Sequence, residues 1–163
     1  MDITSEYVAA LRSCLTGEGD YSGLSAGLQA RDGGDRSARI FLTLAGAALR
    51  CAARRRFPEG YTDADVVRLV GHTRARFAED GYEVDPLAAE AIVRDALGDT
   101  AATAHQDGLA MGTALFPLLL DLLDQEGITA DQVDDFLTTE VVPLAEAWLA
   151  REKSASPSDR ASR

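Results

Sequence analysis

Residues 108–127 read GLAMGTALFPLLLDLLDQEG, the most apolar run of the chain. Wound as an α-helix, the run is apolar around most of its circumference, and such a helix belongs in an interior. The fifteen residues Leu109–Leu123 are too few to span a bilayer and include Pro117 and Asp121. The run therefore predicts the central helix, about 108–126, of an all-α bundle, with the other helices laid around it.

Downstream, Thr129 followed by Gln132 reads as a capping box. The last helix then carries Val133, Phe136, Leu137, Val141, Leu144 and Trp148 at helical spacing. Upstream, Tyr7, Val8, Leu11, Cys14 and Leu15 share one face of a first helix over 3–16, which Gly17 caps. Asp20 can cap a short, weakly specified helix through Leu24 and Leu28, followed by a loop at Arg31–Gly34. From Asp35 to about Arg56, the residues Ile40, Phe41, Leu44, Ala48 and Cys51 form one apolar stripe. Thr62 caps a helix that buries Val66, Leu69, Val70, Thr73 and Phe77. Asp85-Pro86 starts another, with Leu87, Ala88, Ala91 and Ile92 inward. The expectation is about six or seven helices in one domain over 1–153, with a disordered tail over 154–163.

Two helices contain an internal proline, Pro117 and Pro143. Each proline removes a helical hydrogen bond and crowds the carbonyl four residues back. The last two helices are therefore expected to be kinked.

Aromatic residues make up only 6% of the chain, so an aliphatic core of Leu, Val and Ala is expected. No alternating β-branched run suggests a strand. The basic residues are fifteen Arg and one Lys, against a net charge of −11. An acidic molecule of this kind repels nucleic acid and anionic membranes, so neither is expected as a partner. The N-terminal residues show no signal-peptide pattern, which makes a cytoplasmic location the expectation. Cys14 and Cys51 each fall on an apolar stripe and read as core thiols.

The charge is unevenly distributed. Residues 31–76 hold ten Arg and five acids, whereas residues 77–153 hold three basic residues and seventeen acids. Arg50, Arg54, Arg55 and Arg56 form the densest basic cluster, a candidate docking patch for an acidic protein partner or a phosphate. Their position at a helix C-terminus also suits the helix dipole. His72 and His105 lie far apart, and no close His/Cys/carboxylate motif accompanies either, so no metal or cofactor is expected. His72 projects onto the polar side of its helix and is expected to be exposed.

Asp121 lies among five leucines. On a helix it lines up with Thr113, Pro117 and Gln125, with Asp124 beside them. If this stripe is buried, Asp121 needs a partner, because an unpaired buried charge is costly. An Arg from 31–76 is the natural one. Thr113, Pro117, Asp121 and Asp124 also form a candidate pocket, opened by a kink at Pro117.

No catalytic motif for nucleophilic, phosphate-loop or metal chemistry is present. The residues point to a non-enzymatic protein-interaction or regulatory module, with an acidic protein or a second copy of the chain as partner. The alternative is a small-molecule-binding protein or small helical enzyme with its pocket near Asp121.

Overall fold

The computed structural model describes residues 3–104 and 106–155, and for Ala155 its backbone only. The expected tail beyond 155, and His105, lie outside the described residues. The chain is all-helical, and no strand occurs among the described residues. The helices are α1 (Ser5–Thr16), α2 (Tyr21–Asp32), α3 (Gly34–Arg56), α4 (Asp63–Ala78), α5 (Pro86–Ala96), α6 (Gly108–Gln125), α7 (Ala130–Phe136) and α8 (Val142–Ala155). A π-helical turn, Leu137–Val141, joins α7 to α8 without a break.

Local chemistry sets the boundaries. Thr62 and Asp65 form a reciprocal capping box on α4, and the Asp85 side chain accepts from Ala88 N at 2.7 Å ahead of Pro86. Asp107 accepts from both Leu109 N and Ala110 N, satisfying two of the orphan donors of α6. The weakly specified α2 is held by Asp20, which accepts from Gly23 N at 2.8 Å. A Cβ at Gly23 would meet that carboxylate, so a larger residue there would make the Asp20 side chain shift. The expected loop at Arg31–Gly34 shrinks to a single residue, Gly33, whose φ of 82° is left-handed.

The chain divides into two compact units. One is drawn from Met1–Leu44 with Val133–Arg163, and the other is Ala45–Gln132. In the first, α1 packs on α2 and touches the π turn, which packs on α8. Its core holds Tyr7, Leu11, Ile40, Leu44, Phe136, Leu137 and Leu149. The Tyr7 hydroxyl donates to Asp32 at 2.7 Å, and Arg31 pairs with both Asp32 and Glu6. Burial, then the bond to Asp32, pushes the Tyr7 phenol up to about 12, while the bonds from Arg31 and Tyr7 hold Asp32 down at about 2.

In the second unit, α5 packs on α4 and α6, and α4 packs on α6. Buried alanines such as Ala88, Ala89, Ala91, Ala96 and Ala114 leave the helices room to approach closely. The larger apolar side chains Val66, Leu69, Leu118, Leu119 and Leu122 fill the spaces between them. The apolar run beginning at Gly108 is the helix α6, and it continues through Pro117 without restarting. Its first turn is open, with Leu109 78% exposed, and burial begins at Ala114.

Three details differ from the sequence reading. Leu87 is 67% exposed, because α5 faces its neighbours with Ala88, Ala89, Ile92, Val93 and Ala96 instead. Cys14 and Cys51 are half-buried, rather than core thiols. Burial still pushes the Cys14 thiol up, which disfavours the reactive thiolate. In the last helix, the buried set runs Leu137, Val141, Ala145, Leu149, leaving Leu144 and Trp148 half-buried. The π turn inserts one residue, and every later position on the inward face moves by one. Its marker is the bond from Val142 N to the Leu137 carbonyl, five residues back, immediately before Pro143.

Candidate functional site

Two helical faces meet around Asp121. Within α4, His72 and Thr73 are adjacent and Arg76 follows one turn after His72. Within α6, Asp121, Asp124 and Gln125 occupy i, i+3 and i+4. Both triplets therefore lie on single faces, and the packing of α4 on α6 brings those faces together.

Asp121 is 0% exposed and is bonded on both oxygens. Oδ2 accepts from Thr73 Oγ1 at 2.7 Å and from Gln125 Nε2 at 3.0 Å. Oδ1 accepts from Arg76 at 3.1 Å. His72 Nδ1 lies 3.0 Å from Oδ2 and 3.1 Å from Oδ1. A carboxylate offers about four acceptor sites, so these donors saturate it. Burial pushes this carboxyl up, but the hydrogen bonds from His72, Thr73 and Arg76 outweigh it and hold Asp121 below the usual carboxylate range.

An ionised carboxylate only accepts, so the geometry puts a proton on His72 Nδ1 and turns the Gln125 amide nitrogen toward Asp121. That nitrogen is also 3.2 Å from Nδ1. The histidine ring is fixed by a buried anion, yet its side chain is 58% exposed. A cleft of about 290 Å³ adjoins the cluster, lined by Arg56, Phe57, Asp65, Arg68, Leu69, His72 and Gln125. Asp121 stands behind His72 and Gln125 and is not part of that wall.

The residues singled out from sequence fall in several places. Asp121 and Asp124 are joined by one guanidinium, since Arg76 is 3.1 Å from the first and 3.0 Å from the second. Arg76 thus occupies the position between the carboxylates where a shared cation would sit. Pro117 is buried. Thr113 is exposed and turns its hydroxyl to the Ala110 carbonyl at 2.9 Å. Of the arginine cluster, Arg50 is half-buried, with its guanidinium 3.5 Å from the Asp95 carbonyl. Arg54, Arg55 and Arg56 are exposed, and Arg56 lines the cleft. Among the described residues, no three His, Cys, Asp or Glu side chains gather as a metal site.

His72 lies on the exposed side of its helix, as its projection predicts, but its bond to Asp121 spans 49 positions and leaves no local motif.

A second feature lies in the unit that contains α8. Asp35, Ala38, Arg39, Leu42 and Thr43 of α3 face Trp148, Arg151 and Glu152 of α8 across a groove of about 760 Å³. Leu42 is 48% exposed and Trp148 is half-buried. Arg39 reaches Glu152 at 2.7 Å.

Among the described residues, no helix is long and apolar enough to cross a membrane. No family model, curated protein or solved structure matches the chain.

Proposed function

We propose that this chain is a non-enzymatic protein-interaction module, and that the groove between α3 and α8 is its docking surface, taken up by a second copy of the chain. The observation that carries this reading is the pairing of apolar anchors with a two-signed rim. Leu42 and Trp148 offer partly exposed apolar surface, and tryptophan is a characteristic anchor of protein interfaces. Around them stand two acids, Asp35 and Glu152, and two arginines, Arg39 and Arg151. In a two-fold interface each residue meets the same patch on the partner, so a patch carrying both signs in equal number complements itself. The one-residue shift produced by the π turn supports the reading further, because it leaves Trp148 at the groove instead of in the core.

A pocket centred on Asp121 has less support. A general base or ligand-binding carboxylate needs a free acceptor facing an opening. Asp121 is enclosed by four side-chain donors.

Light scattering coupled to size exclusion, in a concentration series reaching about 1 mM, tests the proposal. The expected mass is twice the 17.3 kDa of one chain. Leu42→Asp should return it to one chain by weakening association at least about tenfold. A single-chain mass throughout the series overturns the proposal, and so does a dimer indifferent to Leu42→Asp.

A further inference from the structure

The cleft beside His72 lies in the other unit, and its chemistry is unlike that of the α3–α8 groove. Three basic side chains line it: Arg56 from the end of α3, and Arg68 and His72 one turn apart on α4. Gln125 adds an amide, and Phe57 and Leu69 supply an apolar floor. One acid, Asp65, is also in the wall, but its oxygens are already in use. Oδ2 accepts from the backbone and hydroxyl of Thr62, and Oδ1 accepts from Arg68 at 3.0 Å. Arg68 keeps further N–H donors beyond that bond, since a guanidinium carries five.

His72 gives the cleft its specificity. With Nδ1 donating to buried Asp121, Nε2 is the ring nitrogen left to the cleft, and no group among the described residues bonds it. Nε2 accepts a proton-bearing oxygen when the ring is neutral and donates when it is charged. A phosphate group answers both forms, because near neutral pH it carries both P–OH and P–O⁻. A chloride or a simple carboxylate cannot present both. Arg56 and Arg68 supply forked donors for the remaining oxygens.

The geometry points to an oxyanion site, in which Arg56, Arg68 and His72 bind a phosphate group carried on a small molecule, while Asp121 acts from behind as the positioning residue that fixes the His72 ring. The acidic surface elsewhere does not forbid this, because the arginine-rich segment 31–76 carries ten Arg against five acids.

Inorganic phosphate is the probe, with chloride at matched ionic strength as the reference, followed by the imidazole Cε1–H proton signals in NMR. The chain has only two histidines, so His72→Asn assigns the signal. The expected result is a saturable shift of the His72 signal with phosphate and none with chloride. Arg56→Ala with Arg68→Ala should weaken it at least about tenfold, and Arg74→Ala, an exposed arginine outside the cleft, should leave it unchanged. Both cleft arginines are exposed, so their removal leaves the core intact. A shift that merely follows ionic strength overturns the inference, as does phosphate binding that survives loss of both arginines. Neither outcome bears on the mass of the assembly, so the site and the docking groove fail or stand separately.

Discussion

At the scale of single residues, the clearest lesson is Asp121. A carboxylate among leucines is an energetic liability unless every lone pair is used, and here His72, Thr73, Arg76 and Gln125 use them. Because its folded pKa lies below the ordinary carboxylate value, its stabilisation is present above that value and is lost as pH falls below it and through the lower folded pKa. Asp121→Asn should therefore cost about 1–3 kcal/mol near neutral pH, and its deficit should shrink as the solution is acidified. Urea denaturation of both proteins across pH checks this, and curves that stay parallel in acid contradict it. Ser13 is the opposite case. Its hydroxyl is buried with no hydrogen-bond partner among the described residues. Ser13→Ala removes an unsatisfied polar group and should leave stability unchanged or raise it by up to about 1 kcal/mol, read from the urea midpoint. That Asp121, if buried, would take an arginine from 31–76 was legible in the sequence, because a buried charge demands a partner. The bond to His72 was not, because it depends on which faces of α4 and α6 meet.

At the scale of elements, caps and stops were legible and one register was not. Thr62, Asp85, Pro86 and Gly17 mark helix ends by chemistry local to a few residues, and the helices begin and end close to them. The last helix shows the limit of periodicity. A spacing rule with one period predicts Leu144 and Trp148 inward, but the π turn before Pro143 adds a residue and turns Ala145 and Leu149 inward. In a regular α-helix Pro143 would crowd the carbonyl four residues back, and the π turn ends immediately before it. Deleting exposed Thr139 together with Pro143→Ala should convert the π turn to α-helix while keeping the same side chains buried. The expected cost is within about 2 kcal/mol, well below that of a deletion which rotates a core face outward. Thermal unfolding followed by circular dichroism checks it, and loss of a cooperative transition would show that the turn is needed for the fold.

At the scale of the whole molecule, charge is the dominant property. Net charge is −11, and residues 77–153 carry seventeen acids. Like charges at this density repel one another in the folded state more than in the expanded chain, and salt screens them. Raising the salt from low ionic strength to about 0.15 M should therefore raise Tm by about 2–4 °C, with scanning calorimetry as the measurement. A fall in Tm would mean that pairs such as Arg12–Asp134 and Arg39–Glu152 outweigh the repulsion.

The sequence by itself determined the helical class, the positions of most helix ends and the rule that Asp121, once buried, needs a cationic partner. These follow from interactions within a few residues, or from the cost of burying one charge. Tertiary structure alone decided that α4 presents His72, Thr73 and Arg76 together to Asp121. It also decided that a π turn moves Trp148 out to the α3–α8 groove, and that α6 is buried only from Ala114 onward. Each of these depends on the relative rotation of packed helices, and a hydrophobic period sets that rotation only to within about one residue, or roughly 100°.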